Sequence, residues 1–144
     1  MRHTTAAAFL LFAACASTTA PRFLSTRASE VVAMGQRMGG AAGTHFIRVR
    51  IHNISTEPVL IHSVRVEASG SDLDSEPGSD VFDQTINPGE TVPFDVVVTV
   101  TSRSRSPALD QELTSVSVTI GYVVGQQDLV DSGTYSLSRE ISGS

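Results

Sequence analysis

The side chain with the most distinctive chemistry is a single cysteine, Cys15, near the start of this 144-residue chain. It directly follows Ala6–Ala14, an uninterrupted run of small and apolar residues that comes after a short positive start at Arg2. A run of this length is typical of a signal-peptide core and is about half as long as a membrane-spanning helix. A cysteine thiolate is a good nucleophile, so Cys15 is the residue of this segment that could take part in covalent chemistry. Because it is the only cysteine, a disulfide framework is excluded.

The residues around Cys15 resemble the lipobox of bacterial lipoproteins, in which a short apolar stretch leads to Leu-Ala-Gly/Ala-Cys. Ala13 and Ala14 match the small residues of that pattern, and Phe12 stands where an aliphatic residue is usual. The resemblance implies a diacylglyceryl cysteine with palmitate-type chains at Cys15, cleavage just before it, and a bacterial envelope protein held on a membrane by its lipid. Because Ala16 rather than aspartate follows the cysteine, the resemblance also implies the outer membrane.

The same segment has a second interpretation as an ordinary export signal. Ala14-Cys15-Ala16 also fits the A-x-A site of secretion, which predicts release after Ala16 without lipid as a secreted or periplasmic protein. On the lipoprotein interpretation, residues 1–14 are the signal peptide and residues 15–29 are a flexible tether rich in serine, threonine and alanine. Residues 30–144 then form the folded domain.

A cluster of carboxylates between residues 70 and 80 raises the question of calcium, because hard oxygen ligands suit this cation. The candidate ligands are Asp72, Asp74, Glu76 and Asp80. Their spacing is not that of an EF-hand loop: counted from Asp72, Pro77 occupies the glycine position and Asp83 the glutamate position. We therefore predict a flexible, solvated acidic loop, and a calcium site in a sandwich loop stays open as the alternative.

Basic side chains gather on the polar face of one predicted strand. Arg48, Arg50 and His52 alternate there with apolar residues, and Arg65 lies on the polar face of the next predicted strand, which we place beside the first. These four residues form a candidate binding patch, and the alternative is an ordinary solvated sheet face. His52 and His62 would face each other across the connecting hairpin, but two imidazoles without further ligands predict no metal site.

The composition and the motifs exclude several function classes. Fifteen acidic residues against ten basic ones give a formal charge of −5, which argues against a surface that follows nucleic-acid phosphates. The sequence has no G-x-S-x-G elbow, no H-E-x-x-H motif and no glycine-rich loop that opens a helix. We therefore predict a protein that is not an enzyme, needs no cofactor and does not bind nucleic acid.

From Glu30 onward, β-branched runs alternate with turn-forming clusters, and no long stretch has helical spacing. The first strand is expected at Val31–Met38, and the clearest alternation of apolar and polar residues spans 91–101 and 113–124. About seven strands over about 110 residues predict an all-β fold, namely a single antiparallel immunoglobulin-like β-sandwich. The order of strands and turns resembles that of immunoglobulin-like and fibronectin type III-like domains.

A second resemblance, to the water-stress (late-embryogenesis type 2) domain, covers Val49–Val100. The shared features are a strand that ends in an Asn turn at Ile51-His52-Asn53, the aliphatic strand Val59–Val66, and the turn Asn87-Pro88-Gly89-Glu90 before Phe94–Val100. This resemblance implies a protective or structural envelope protein without a discrete partner. The function we favour is a membrane-anchored lipoprotein that presents a non-catalytic sandwich to an envelope protein partner, and a secreted calcium-binding module is a third alternative.

Overall fold

The computed structural model describes residues 22–33, 43–70, 72–103 and 112–142. In these ranges all regular secondary structure is β, and no helix long and apolar enough to cross a membrane occurs there. The strands are β1 (Leu24–Ala33), β2 (Gly43–Asn53), β3 (Val59–Gly70), β4 (Leu73–Glu76), β5 (Gly78–Ile86), β6 (Thr91–Ser102), β7 (Leu113–Val124), β8 (Gln127–Ser136) and β9 (Ser138–Ser142).

The strands form two packed layers. The front sheet has the order β4-β6-β2-β1-β9, and the back sheet has the order β5-β3-β7-β8. The layers join at one corner, where Gly70 of β3 pairs with Leu73 of β4. Strand pairs are antiparallel except for β1 and β9, which run parallel. The predicted immunoglobulin-like β-sandwich is confirmed, with nine strands in the described ranges where the sequence predicted about seven.

The core lies between the sheets because every second residue of each long strand points inward. In β2, Ile47, Val49 and Ile51 are fully buried, whereas Arg48 and Arg50 between them lie on the outer face. Strands β6 and β7 alternate in the same way. The alternation that the sequence displays most clearly is therefore the alternation that builds the core.

Two edge-to-face aromatic pairs connect the layers. The rings of Phe23, just before β1, and Tyr122 of β7 have centroids 6.4 Å apart. On the other side of the sandwich, Phe82 of β5 packs on Phe94 of β6 with centroids 4.8 Å apart. Such pairs stabilise packing beyond the area that they bury, so ring contacts join the two layers on both sides of the sandwich.

Strand β1 begins earlier than the sequence predicted. It starts at Leu24, so the prediction of a tether over 15–29 is wrong from that residue onward; residues 34–38 of the expected first strand lie outside the described ranges. Leu24 and Ala28 point into the core and are at most 5% exposed, with serine, threonine and arginine between them. The pattern was missed because an inward position near a sheet border accepts a residue as small as alanine, which leaves no apolar run to recognise.

The predicted acidic loop is also wrong, because two strands occupy most of it. Leu73, only 2% exposed, anchors β4 in the core, and β5 begins at Gly78. The Ser75 hydroxyl donates to the carbonyl of Ala68 at 2.8 Å and accepts from its N–H at 2.9 Å, which extends the link between β4 and β3. Strands at sheet borders tolerate exposed acidic residues, so charge alone did not indicate a loop.

The chain crosses from the front to the back sheet after β2, so the hairpin predicted between His52 and His62 is wrong. The crossing is organised by the fully buried side chain of Asn53. Its Nδ2 donates to the carbonyls of Glu57 at 2.7 Å and Ile86 at 2.9 Å. Because one buried amide joins the end of a front strand to the end of a back strand, Asn53 connects the two sheets at this end.

Candidate functional site

The structure brings together three of the four residues predicted as a binding patch. Arg48, Arg50 and His52 lie on the outer face of β2, between β6 and β1. Arg65 lies on β3 in the back sheet, opposite Thr119 of β7. The predicted neighbourhood is therefore wrong for Arg65, because β2 and β3, although consecutive in sequence, belong to different sheets.

Arg48 forms a bidentate ion pair with Asp95, which lies directly opposite it on β6. Its Nε and Nη2 donate to the two carboxylate oxygens at 2.8 and 3.0 Å. This hydrogen bonding lowers the pKa of Asp95 below its ordinary value, and the carboxylate raises the pKa of Arg48. The pair therefore stays charged on both sides at neutral pH.

A second carboxylate, Glu140 of β9, completes the cluster from across β1. Arg50 Nη2 donates to its two oxygens at 2.8 and 2.7 Å, and Arg48 Nη1 donates to it at 3.1 Å. The Ser29 hydroxyl of β1 donates to the same carboxylate at 3.1 Å, and this short side chain lets the arginines reach over β1. The pKa of Glu140 is lowered, and the hydrogen bond from Arg50 is the largest cause.

We call Arg48, Arg50, Asp95 and Glu140 the arginine–carboxylate network. Two guanidinium groups face two carboxylates, so the formal charges cancel within the network, and Arg48 and Arg50 are not free cations for an anionic ligand. What the network does instead is link β6, β2 and β9 across the outer face of the front sheet.

The rest of this outer face is mixed in character. His52 Nδ1 lies 2.9 Å from the Thr91 hydroxyl of β6. Phe46 and Val97 lie opposite each other on β2 and β6 and are 51% and 48% exposed, so a small apolar pair adjoins the network. An exposed pair of this size is too small by itself to define an interface.

The outer face of the back sheet, where Arg65 lies, is built from short hydroxyl side chains. Ser69 and Ser115 hydroxyls are 2.8 Å apart across β3 and β7. Between β7 and β8, Ser117 lies 3.2 Å from Thr134, and Ser132 donates to Thr119 at 3.3 Å. We call these residues the hydroxyl ladder: Ser69, Ser115, Ser117, Thr119, Ser132 and Thr134.

The four calcium candidates do not converge. Asp74 forms an ion pair with Arg103, whose hydrogen bond lowers the pKa of Asp74, and Asp80 accepts a hydrogen bond from the N–H of Val81 at 2.8 Å. Asp72 and Glu76 are exposed at the turn before β4 and at its end. Across the described ranges, no three histidine, cysteine or acidic side chains come close enough to hold a metal ion.

A charged cluster that was not predicted from the sequence lies at the end of the sandwich opposite Asn53. Glu30 of β1 faces inward and is 8% exposed, with one oxygen 2.5 Å from His45 Nδ1 and the other 3.9 Å from Arg139 Nε. The buried Glu30 carboxylate thus has both a hydrogen-bond partner and a nearby guanidinium group. Arg139 also pairs with Glu112 at 2.9 Å. The available signal was that Glu30 and His45 occupy inward positions of two alternating strands.

The residues predicted for lipidation lie outside the described ranges. These are Phe12, Ala13, Ala14 and Cys15. The described chain begins at Arg22, just before β1. What the structure adds is the start of β1 at Leu24, only nine positions after Cys15.

Comparisons with known proteins find similar folds only. No protein-family model matches the sequence, and no curated protein matches it. Among solved structures, Northeast Structural Genomics Consortium target SoR45 has a TM-score of 0.52 at 10% identity, over 80% of this chain and 84% of that chain. A protein from Archaeoglobus fulgidus has a TM-score of 0.46 at 9% identity, over 78% and 91%. The ASH / PapD-like domain of human CEP192 has a TM-score of 0.37 at 12% identity, over 99% and 100%.

Proposed function

We propose that this chain is a lipoprotein of the bacterial cell envelope whose β-sandwich, held at a membrane through a lipid on Cys15, binds a protein partner without catalysing a reaction. The observation that carries the proposal is the place of Cys15, directly after the apolar run and only nine positions before Leu24, the first residue of β1. The residues between them reach at most about 30 Å when extended, so an anchored sandwich stays close to the membrane surface.

The direction of β1 supplies an orientation for the anchored domain. Leu24 pairs with Asn53, so the tether joins the sandwich at the end that contains these residues, and this end lies nearer the proposed anchor. The opposite end, with Glu30, His45 and Leu113, faces away from it. Both outer sheet faces and the sheet borders then stand upright on the membrane, where a neighbouring envelope protein has access to them.

Binding is the role that the described side chains favour over catalysis. The charged groups of the arginine–carboxylate network are paired with one another, and the hydroxyl ladder contains no general base within its hydrogen bonds. An immunoglobulin-like sandwich offers strand edges and faces for association, and these surfaces need no cofactor. We propose the outer membrane as the location because Ala16, rather than aspartate, follows Cys15.

The anchor is tested by labelling bacterial cells that express the chain with radioactive palmitate. Wild type and Phe12→Leu, which brings the lipobox closer to its usual form, should both incorporate label and sediment with membranes. Cys15→Ala should do neither. Equal distribution of wild type and Cys15→Ala between fractions, with no label in either, would contradict the anchor and indicate a secreted or periplasmic protein.

Partner binding is tested separately by chemical cross-linking in the membrane fraction. A stoichiometric cross-linked protein that is absent with unrelated lipoproteins supports the binding role. Its absence, together with protection of a test enzyme against drying, would favour the partner-free role of the water-stress type. Calorimetry with calcium addresses the remaining alternative, for which a binding heat that Asp74→Asn and Asp80→Asn remove would be required.

A further inference from the structure

Strand β8 is a border of the back sheet with a long regular edge. It pairs with β7 over all ten residues without a register shift. The connecting turn is Gly125-Gln126, with a positive φ of 61° at Gly125, so the flanking pair Val124 and Gln127 is hydrogen-bonded. Because antiparallel pairs alternate, the N–H and C=O groups of every second residue from Asp128 onward point away from β7.

The other borders of the described strands are less suited to adding a strand. Strand β5 has a register shift against β3 and exposes Asp80 and Asp83. Strand β6 has Pro93, which lacks an N–H, along the part that β4 does not cover. Strand β9 is short, and Glu140 fastens it to the arginines of β2. Natural proteins protect sheet borders with these features.

The side chains of β8 define what a new strand would meet. Leu129 and Tyr135 face inward, are partly buried and pack against the core, and they leave apolar surface that an added strand would cover. Between them Asp131 also faces inward, next to Tyr122. The pKa of Tyr122 is raised, chiefly by burial and further by the negative charge of Asp131. In the described part of the chain Asp131 forms no salt bridge, and β8 itself has no basic residue.

We propose that β8 is the docking edge for the protein partner, which adds an extended segment with apolar side chains opposite Leu129 and Tyr135 and an arginine or lysine opposite Asp131. This inference rests on the proposed binding function and specifies its site and its partner chemistry. The main-chain groups of β8 supply hydrogen bonds, and the inward side chains supply selectivity. A basic residue in the partner neutralises the Asp131 carboxylate that the chain leaves without an ion pair.

A second copy of this chain is a poor occupant of the same edge. Antiparallel pairing of β8 with another β8, in the registers that overlap nearly the whole strand, places the two Asp131 carboxylates opposite or diagonal to each other, because both lie on the inward face. Like charges at such positions are destabilising. The same residue therefore favours a basic strand and disfavours self-association.

The test measures binding of a fluorescent ten-residue peptide to the processed chain in detergent. The peptide has valines opposite Leu129 and Tyr135, an arginine opposite Asp131 and threonines elsewhere. We expect saturable binding that weakens at least about tenfold when the arginine is replaced by glutamate. Methylation of the peptide nitrogens that face β8, which leaves its side chains unchanged, should abolish binding. Equal affinity for the arginine and glutamate peptides, or no saturable binding, would overturn the proposal.

Two protein variants extend the test. Val130 is 72% exposed and its N–H points to the free edge, so Val130→Pro should abolish peptide binding while Val130→Thr, which keeps the N–H, should not. Asp131→Lys should reverse the preference to the glutamate peptide. Retention of the cross-linked membrane partner by folded Val130→Pro would overturn the β8 site and leave the proposed function standing. Loss of that partner by Val130→Pro but not by Val130→Thr supports the site.

Discussion

The two outer faces of the sandwich are both polar, but they are held together in different ways. The front face has long charged side chains, and its network joins residues far apart in sequence, such as Arg50 and Glu140. The back face has short hydroxyls, most of which pair across the β7–β8 hairpin, such as Ser117 and Thr134. The front network depends on the complete fold, whereas the back ladder depends mainly on one hairpin.

This difference between the faces bears on which sheet border is available to pair with an added strand. On the front, Glu140 fastens the short border strand β9 to the arginines of β2. On the back, the hydroxyl bonds run within the sheet and leave the outer edge of β8 available. The charged face therefore stabilises the sandwich, whereas the hydroxyl face adjoins the β8 edge that we propose for docking.

The largest expected effect is at Asn53, where the two sheets meet. Asn53→Ala removes two buried donors and leaves the carbonyl of Ile86 without its partner, so we expect a loss of about 3 kcal/mol in the free energy of unfolding. Chemical denaturation followed by circular dichroism measures it. Ser55→Ala, which removes one hydroxyl bonded to the Asn53 Oδ1, is the matched control and should cost clearly less. Equal losses for the two variants would show that Asn53 does not organise the junction.

The next effect tests the close packing of the back sheet. A Cβ on Gly121 would lie 2.4 Å from the Ser63 hydroxyl and 2.7 Å from His62 Cε1. Because the side chains of Ser63 and His62 must move to admit it, Gly121→Ala should lower the free energy of unfolding by about 1 kcal/mol. Thr119→Ala, two residues away on the same face, should leave it nearly unchanged, as thermal melting of both variants would reveal.

A smaller effect is expected on the front face. A double-mutant cycle with Arg48→Met and Asp95→Asn should give a coupling of about 0.5–1 kcal/mol, because the pair is bidentate but partly exposed. Arg65 and Glu67 lie on the back face without forming a salt bridge with each other. The same cycle for this pair should give no coupling energy within error. A coupling at the second pair as large as at the first would remove the contrast between the faces.

Acid should weaken the front face selectively. The folded-state pKa values of Asp95 and Glu140 lie below the ordinary values of 3.8 and 4.5, so their contribution is complete above those values and is lost as the pH falls through the folded values. The melting-temperature difference between wild type and Arg48→Met/Arg50→Met should therefore be largest near pH 7 and should shrink below about pH 4. A difference independent of pH would contradict the network.

The smallest effect is expected on the hydroxyl ladder. Ser117→Ala together with Thr134→Val removes one exposed hydroxyl pair and should change the free energy of unfolding by no more than about 0.5 kcal/mol. Denaturation curves that differ by several times this amount would mean that the ladder, like the front network, stabilises the fold.

The sequence was most informative where one strand needs apolar residues along a whole face. Strands β6 and β7 are core strands, and their alternation is visible without the structure. Strand β1 was missed in part because its inward positions include alanine and glutamate, and β4 because it is only four residues long. Those departures are local and concern strands at a sheet border or next to one.

The site was less predictable than the fold because strand pairing is not local. The grouping of Arg48 with Arg50 follows from alternation alone, but their partner Glu140 lies about 90 residues away and joins them through a parallel strand. Arg65 was placed beside them on the assumption that consecutive strands pair, and the chain crosses between the sheets at that point. The position of β8 at the border of the back sheet could not be predicted from the sequence, because it depends on the order in which the strands pair.

The most direct test of the account is the intact mass of the processed chain, purified from the membrane fraction. The lipoprotein proposal predicts a chain that starts at Cys15 and has the additional mass of a diacylglyceryl group and acyl chains, with no such species from Cys15→Ala. A mass that starts at Ser17 without lipid would contradict it, and would leave a secreted β-sandwich whose β8 edge is presented in solution rather than at a membrane.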